Sequence, residues 1–261
     1  MTSPPVLPDD VALLWGRRGA GRRGRRPALT VADLTRAAVA VADAEGLAAV
    51  SMARVAAELG NATMALYRHV RSKEELLLLM ADAAVEEPPP GLGEGDWRQQ
   101  LTAWAAAVLA VLRRHPWFRD IPISGPPMGP GNLAWLDRGL AALEGSPLDD
   151  GERLAVITGL ITLVHGEARL AIDLERGFAA DPEAAGRGYG ATLGSLLDPA
   201  RFPALARAVA SGVFDAPPPA DAASLGGELE EAFRFALDRY LDGVAAYVAR
   251  RGSRSTGRPP S

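Results

Sequence analysis

The sequence predicts an all-α chain in two parts, a compact domain of short helices followed by a larger helical domain. Three observations predict it. Apolar residues recur at helical spacing through most of the 261 residues. Alternating β-branched runs and Asn-Gly turns are nearly absent. Helix-starting Thr and Ser residues alternate with helix-ending glycines in the first quarter. Hydrophobic residues make up 48% and charged residues 23%, which is ordinary globular usage with ample material for a core.

Residues 1–28 are rich in Pro, Gly and Arg without periodicity and read as a flexible arm. Next, "LTVADLTRAAVAVADAEGL" sets Thr30 and Asp33 at capping-box spacing, aligns Leu34, Ala38 and Val41 on one face, and stops at Gly46. Ser51 caps "SMARVAAELG", where Met52, Val55, Ala56 and Leu59 share a face before Gly60. After a short turn, "GNATMALYRHV" places Ala62, Leu66 and Val70 on its buried stripe, with Asn61 as a candidate cap. Ser72 then caps "SKEELLLLMADAAVEE". The tight middle pair is a helix-turn-helix pattern. The fold class is therefore all-α: an N-terminal three-helix helix-turn-helix domain over residues 29–86, plus a larger helical domain suited to ligand binding and dimerisation.

The Pro/Gly-rich "EEPPPGLGEGD" leads into that second domain, expected over 92–250, with 251–261 as a flexible tail. Helices are expected at about 96–114, 130–145, 148–177, 182–197, 199–211 and 226–250. Cysteine is absent, and the apolar patch near the start is too short for a signal h-region. The apolar run at 103–112 falls short of a membrane span. A cytoplasmic protein without membrane contact is expected.

Charge is unevenly placed. Residues 16–73 hold eleven Lys/Arg against four Asp/Glu, +7, and the remainder carries seventeen against twenty-eight, −11, which sum to the net −4. A basic end on an acidic body is the footprint of a chain that brings one end to a polyanion. "GAGRRG" matches Gly-x-Gly-x-x-Gly, but no strand feeds it and Pro27 follows, so it is no dinucleotide fingerprint. Arg22, Arg23, Arg25 and Arg26 on their glycine tether are better suited to phosphates or a minor groove.

In a helix-turn-helix the second helix enters the major groove by its N-terminal residues. Thr63 and Met64 are the candidates for base edges, a hydroxyl and an apolar surface fit for a thymine methyl. Tyr67, Arg68 and His69 would touch phosphate, although His69 and Tyr67 could also pack the helix junction. Lys73, opening the next helix, adds a phosphate clamp, with Ser51 and Arg54 as further backbone contacts.

The stretch "LTRAAVAVADAEGLAAVSMARVAAELGNATMALYRHVRSKEELLLLM" (34–80) resembles the DNA-binding domain of the TetR family of transcriptional repressors. "RRHPWFRDIPISGPPMGPGNLAWLDRGLAAL" is similar to the regulatory domain of its tetracycline-repressor branch. The resemblance implies a homodimer that binds double-stranded operator DNA of palindromic sequence and is released by a small-molecule effector. It licenses no magnesium–tetracycline site, since the ligating histidine and acids cannot be placed here. Asn61 and Ala53 depart from the family pattern. They leave room for a competing reading, a small-molecule-binding or enzymatic helical protein with a vestigial helix-turn-helix.

No catalytic or metal constellation supports an enzyme. The three histidines are isolated and Gly-x-Ser-x-Gly is missing, so no cofactor is expected. His165 reads as a buried histidine lining a cavity or dimer seam rather than a base. The candidate effector pocket comprises Leu101, Trp104, Val108, Trp117, Trp135, Leu136, His165 and Arg169. Two helices carry apolar residues on more than one face. Leu154, Ile157 and Ile161 on one, with Phe233, Leu237, Tyr240, Leu241, Val244 and Val248 on the other, are the expected dimer seam.

Overall fold

A computed structural model of the chain describes residues 7–18, 29–122, 125–180, 188–214 and 222–255. Among these residues there are eleven α-helices and no strand. The helices are α1 (Asp9–Leu14), α2 (Val31–Glu45), α3 (Met52–Glu58), α4 (Thr63–Leu66), α5 (Lys73–Val85), α6 (Trp97–Arg114), α7 (Pro130–Ala141), α8 (Asp150–Ala180), α9 (Tyr189–Leu196), α10 (Pro203–Ala210) and α11 (Ala222–Ser255). The chain divides into two compact units, Met1–His165 with Tyr240–Ser261, and Gly166–Arg239.

Local chemistry sets the helix starts in the first unit. Thr30 and Asp33 close a reciprocal capping box on α2, and the Ser51 and Ser72 hydroxyls accept the N–H groups of Arg54 and Glu75 to cap α3 and α5. Gly46 and Gly60 take φ of +83° and +63°, the left-handed backbone that ends α2 and α3. Leu34, Ala38, Val55, Leu66, Val70, Leu76 and Met80 then meet in one fully buried core. Burying a leucine such as Leu66 contributes about 1.5–3 kcal/mol, which is what holds so short a helix as α4 in place.

Within the stretch expected to be a flexible arm, residues 7–18 are described and contain a helix, and the rest lies outside the described residues. Residues 9–14 form α1, with Asp9 and Asp10 in its first turn, where carboxylates suit the helix dipole. Val11 and Leu13 are buried. Arg18 then binds Glu75 of α5 through both guanidinium nitrogens, at 2.9 and 2.5 Å, and the Trp15 Nε1–H donates to the Met128 carbonyl at 2.9 Å. The Arg18 hydrogen bonds hold the Glu75 carboxyl below its ordinary range.

Helix α7 begins with Gly129, which has no side chain to cap it. Asp82 of α5 supplies the missing acceptor, taking the N–H groups of Gly131 and Asn132 at 3.2 and 3.0 Å and the Asn132 side-chain amide at 3.0 Å. Glycine is needed here. A Cβ on Gly131 would stand 2.6 Å from the Asp82 carbonyl oxygen, and one on Gly129 would strike the Asp82 carboxylate. The Trp135 indole adds a bond to the Val85 carbonyl, 2.8 Å.

Helix α8 contains a stretch, Asp150–Gly177, long and apolar enough to cross a membrane by length and composition, longer than the run at 103–112. Ile157, Leu160 and Val164 along it are fully buried. Tyr240 of α11 packs on Gly159 and donates its hydroxyl to the Val156 carbonyl at 2.6 Å. In the second unit, Tyr189 meets Phe214 edge to face at 5.6 Å.

The apolar stripe expected at a dimer seam is mostly occupied within the protomer. Ile157, Leu241 and Val244 in the first unit, and Phe233 and Leu237 in the second, are buried. Ile157 lies so close over Gly139 of α7 that a Cβ there would stand 3.2 Å from its Cδ1, so its face belongs to the core of its own chain. Ile161, Tyr240 and Val248 are half-buried, and Leu154 alone of the nine is exposed. A helix wheel shows how wide an apolar face is but not which side its own chain covers.

Candidate nucleic-acid interface and effector cavity

The candidate reading head is α3, a turn and α4. Leu66 and Val70 point inward with no exposure at all, while Met64 is 73% and Tyr67 44% exposed. Met64 and Tyr67 together give this pinned helix an outward face open to a partner surface. Thr63 opens α4 half-buried, Arg68 and Lys73 are exposed, and His69 is half-buried at the junction. Ala62 is the N-cap residue and lies exposed, so it does not belong to the buried stripe. Asn61 is not the cap either, because its side-chain amide donates to the Leu59 carbonyl at 2.8 Å.

Two further candidates carry other duties. The Ser51 hydroxyl accepts from the Arg54 backbone. The Arg54 guanidinium bridges Glu45 and Glu58 at 2.7 and 2.8 Å, a network that raises its already high pKa. Arg22, Arg23, Arg25 and Arg26 lie outside the described residues.

Behind the reading head is a cavity of about 660 Å³ in the first unit. Leu77, Leu78, Ala81, Asp82 and Val85 of α5 form one wall; Trp104, Val108 and Leu112 of α6 form another. Trp135 and Leu136 of α7 and His165 of α8 also line it. Thus, of the residues expected in a pocket, Trp104, Val108, Trp135, Leu136 and His165 line this cavity. Leu101, Trp117 and Arg169 do not. Leu101 is fully buried core. Trp117 packs in the core of the first helices and donates its indole N–H to Asp43 at 2.6 Å. Arg169 is exposed and faces Asp173 on its own helix at 3.9 Å.

Sequence reasoning missed the α1 residues Asp10, Val11 and Leu14 in the cavity wall, and also Asp82 and Asn132. The cavity's own chemistry is plain. Burial pushes the His165 imidazole below its ordinary pKa, which keeps it neutral, and Phe118 meets its ring edge to face at 6.0 Å. The indole N–H groups of Trp104 and Trp135 both donate to backbone carbonyls. Nothing in this arrangement pairs a nucleophile with a base.

Residues 34–80 match the family model of the bacterial regulatory proteins, tetR family, and residues 89–248 match that of the Tetracyclin repressor-like, C-terminal domain. The protein belongs to the TetR family. It is a TetR family transcriptional regulator, and the family is not enzymatic. The chain is 37% identical over 245 residues to the HTH-type transcriptional repressor DrrR1 of Streptomyces coeruleorubidus, covering 93% of this chain and 87% of that protein. Among solved structures it is similar to ActR, a TetR family protein of Streptomyces coelicolor, in complex with (S)-DNPA. The identity is 26% over 85% of this chain and 100% of that one, with a TM-score of 0.64. The structure of ActR in complex with actinorhodin matches equally, at 26% identity and a TM-score of 0.64.

Proposed function

We propose that this regulator is a repressor that binds a palindromic operator as a homodimer and is released when a small molecule enters the 660 Å³ cavity. The observation that carries the reading is that one helix serves both sites. Helix α5 packs in the core under the reading head through Leu76 and Met80, and it lines the cavity through Leu77, Leu78, Ala81, Asp82 and Val85. A ligand that fills the cavity acts on the element that holds α4 at its angle. A coupling of about 1–3 kcal/mol would weaken operator binding some 5–150-fold.

Two reading heads about 34–36 Å apart would enter successive major grooves. The exposed apolar residues supporting a seam are Leu154 and Tyr247 of the first unit. They take the place of the buried residues in the expected stripe. DrrR1 is a repressor by name, and ActR holds small molecules in its solved complexes, both in line with this reading. A DNA-binding regulator of this kind works in the cytoplasm. Sedimentation with and without DNA from its own upstream region tests the proposal: a dimer on a two-fold site supports it, and a monomer on DNA overturns it.

A further inference from the structure

The cavity lining has a marked charge bias. Among the described lining residues are three carboxylates, Asp10, Glu74 and Asp82, and no lysine or arginine. Asp10 on α1 and Glu74 on α5 are exposed, whereas Asp82 is half-buried. Arg18, whose charge feels Asp9 and Asp10, is already engaged by both oxygens of Glu75. Lys73, adjacent to Glu74, is exposed and is not part of the lining.

The rest of the lining is apolar and aromatic. Trp104 and Trp135 stand edge to face at 6.1 Å, with Phe118 and Met128 also on the wall. Because both indole N–H groups are bonded to carbonyls, these side chains present ring surface, not donors, to a ligand. The negative face of an aromatic ring attracts a cation, and the carboxylates of the lining add to that field. An anionic ligand would meet repulsion with no lysine or arginine among the described lining residues to offset it.

We propose that the cavity takes a planar aromatic molecule carrying a positive charge, with its ring system against Trp104, Trp135 and Phe118 and its cationic group toward Asp10, Glu74 and Asp82. The inference rests on the effector-cavity reading above and names the chemical class of the effector.

The test uses the full-length protein and three dyes followed by fluorescence: rhodamine 6G as cation, fluorescein as an anion on the same xanthene ring, and Nile red as a neutral probe. Rhodamine 6G is expected to bind at least about tenfold tighter than fluorescein and to displace Nile red. The double variant Asp10→Asn, Glu74→Gln is expected to cut that preference about fivefold. Asp82→Asn is a separate arm, because Asp82 also caps α7. Equal or tighter binding of fluorescein, or a preference untouched by both sets of variants, overturns the charge class. If Nile red binds while the charged dyes do not differ, the charge class falls and the cavity reading stands. If none of the three binds, both fall.

Discussion

The carboxylate of Asp82 caps a helix it does not belong to, meeting both the backbone and the side-chain nitrogen of Asn132 at 3.0 Å. It ties α5, which supports the reading head, to α7, which walls the cavity. Asp82→Ala is expected to cost about 1–2 kcal/mol of stability, the usual effect of losing a cap. It should leave operator affinity within about threefold but reduce ligand-driven release by about tenfold, since the coupled element is cut. Chemical denaturation and DNA anisotropy with and without rhodamine 6G check both numbers.

Gly131→Ala presses on the same joint. The new Cβ would stand 2.6 Å from the Asp82 backbone oxygen, and a backbone atom cannot swing aside. We expect a loss of about 1–3 kcal/mol, the usual effect of overpacking, read as a lowered denaturation midpoint. An unchanged midpoint would mean that α5 and α7 are not held this close.

Leu66 and Met64 sit two residues apart in α4 and should fail in different ways. Leu66→Ala opens a cavity in the core and is expected to cost about 2–5 kcal/mol. Met64→Ala, at a residue 73% exposed, should change stability by no more than about 0.5 kcal/mol. It should nonetheless weaken discrimination between operator and mismatched DNA by about 1–3 kcal/mol. Parallel melting curves and competition binding separate the two.

Glu152 gives a pH signature. The Tyr247 hydroxyl, then the Arg251 guanidinium, hold its carboxyl down to about 2 from the ordinary 4.5. A depressed folded pKa means that the unfolded chain binds the proton first, so the stabilisation is complete above pH 4.5 and is lost as pH falls toward 2. Glu152→Gln should therefore lower the melting temperature at pH 7, with the gap to wild type closing below pH 4.5. A constant gap across that range contradicts the assignment.

The parts of the fold legible in the sequence were those set by neighbours in the chain. Thr30 with Asp33, Ser51, Ser72, Gly46 and Gly60 act within a few residues, and each does what its spacing announced. Leu66 and Val70 were readable as anchors for the same reason. Helix α1 was not, because six residues gain their stability from contacts 57 and 113 positions away, Arg18 with Glu75 and Trp15 with Met128.

The cavity shows the same division. Trp104, Trp135 and His165, singled out for their bulk or as an isolated histidine, do line the cavity. Leu101 and Trp117 were misplaced because core and cavity wall draw on the same side chains. Asp82 had no local sign, since its partners lie about fifty residues on. The expected seam residues follow the same logic: Ile157 lies over Gly139, and Tyr240 over Gly159, through approaches that only the tertiary structure defines.

The measurement that bears most directly on the central claim is a footprint on the DNA upstream of the protein's own gene, comparing wild type with Thr63→Ala, Met64→Ala, Tyr67→Ala in one chain. The outward face of α4 is expected to give wild type a two-fold symmetric protected site, and the triple variant, folded by circular dichroism, should lose it. An undiminished footprint from the triple variant would contradict the account.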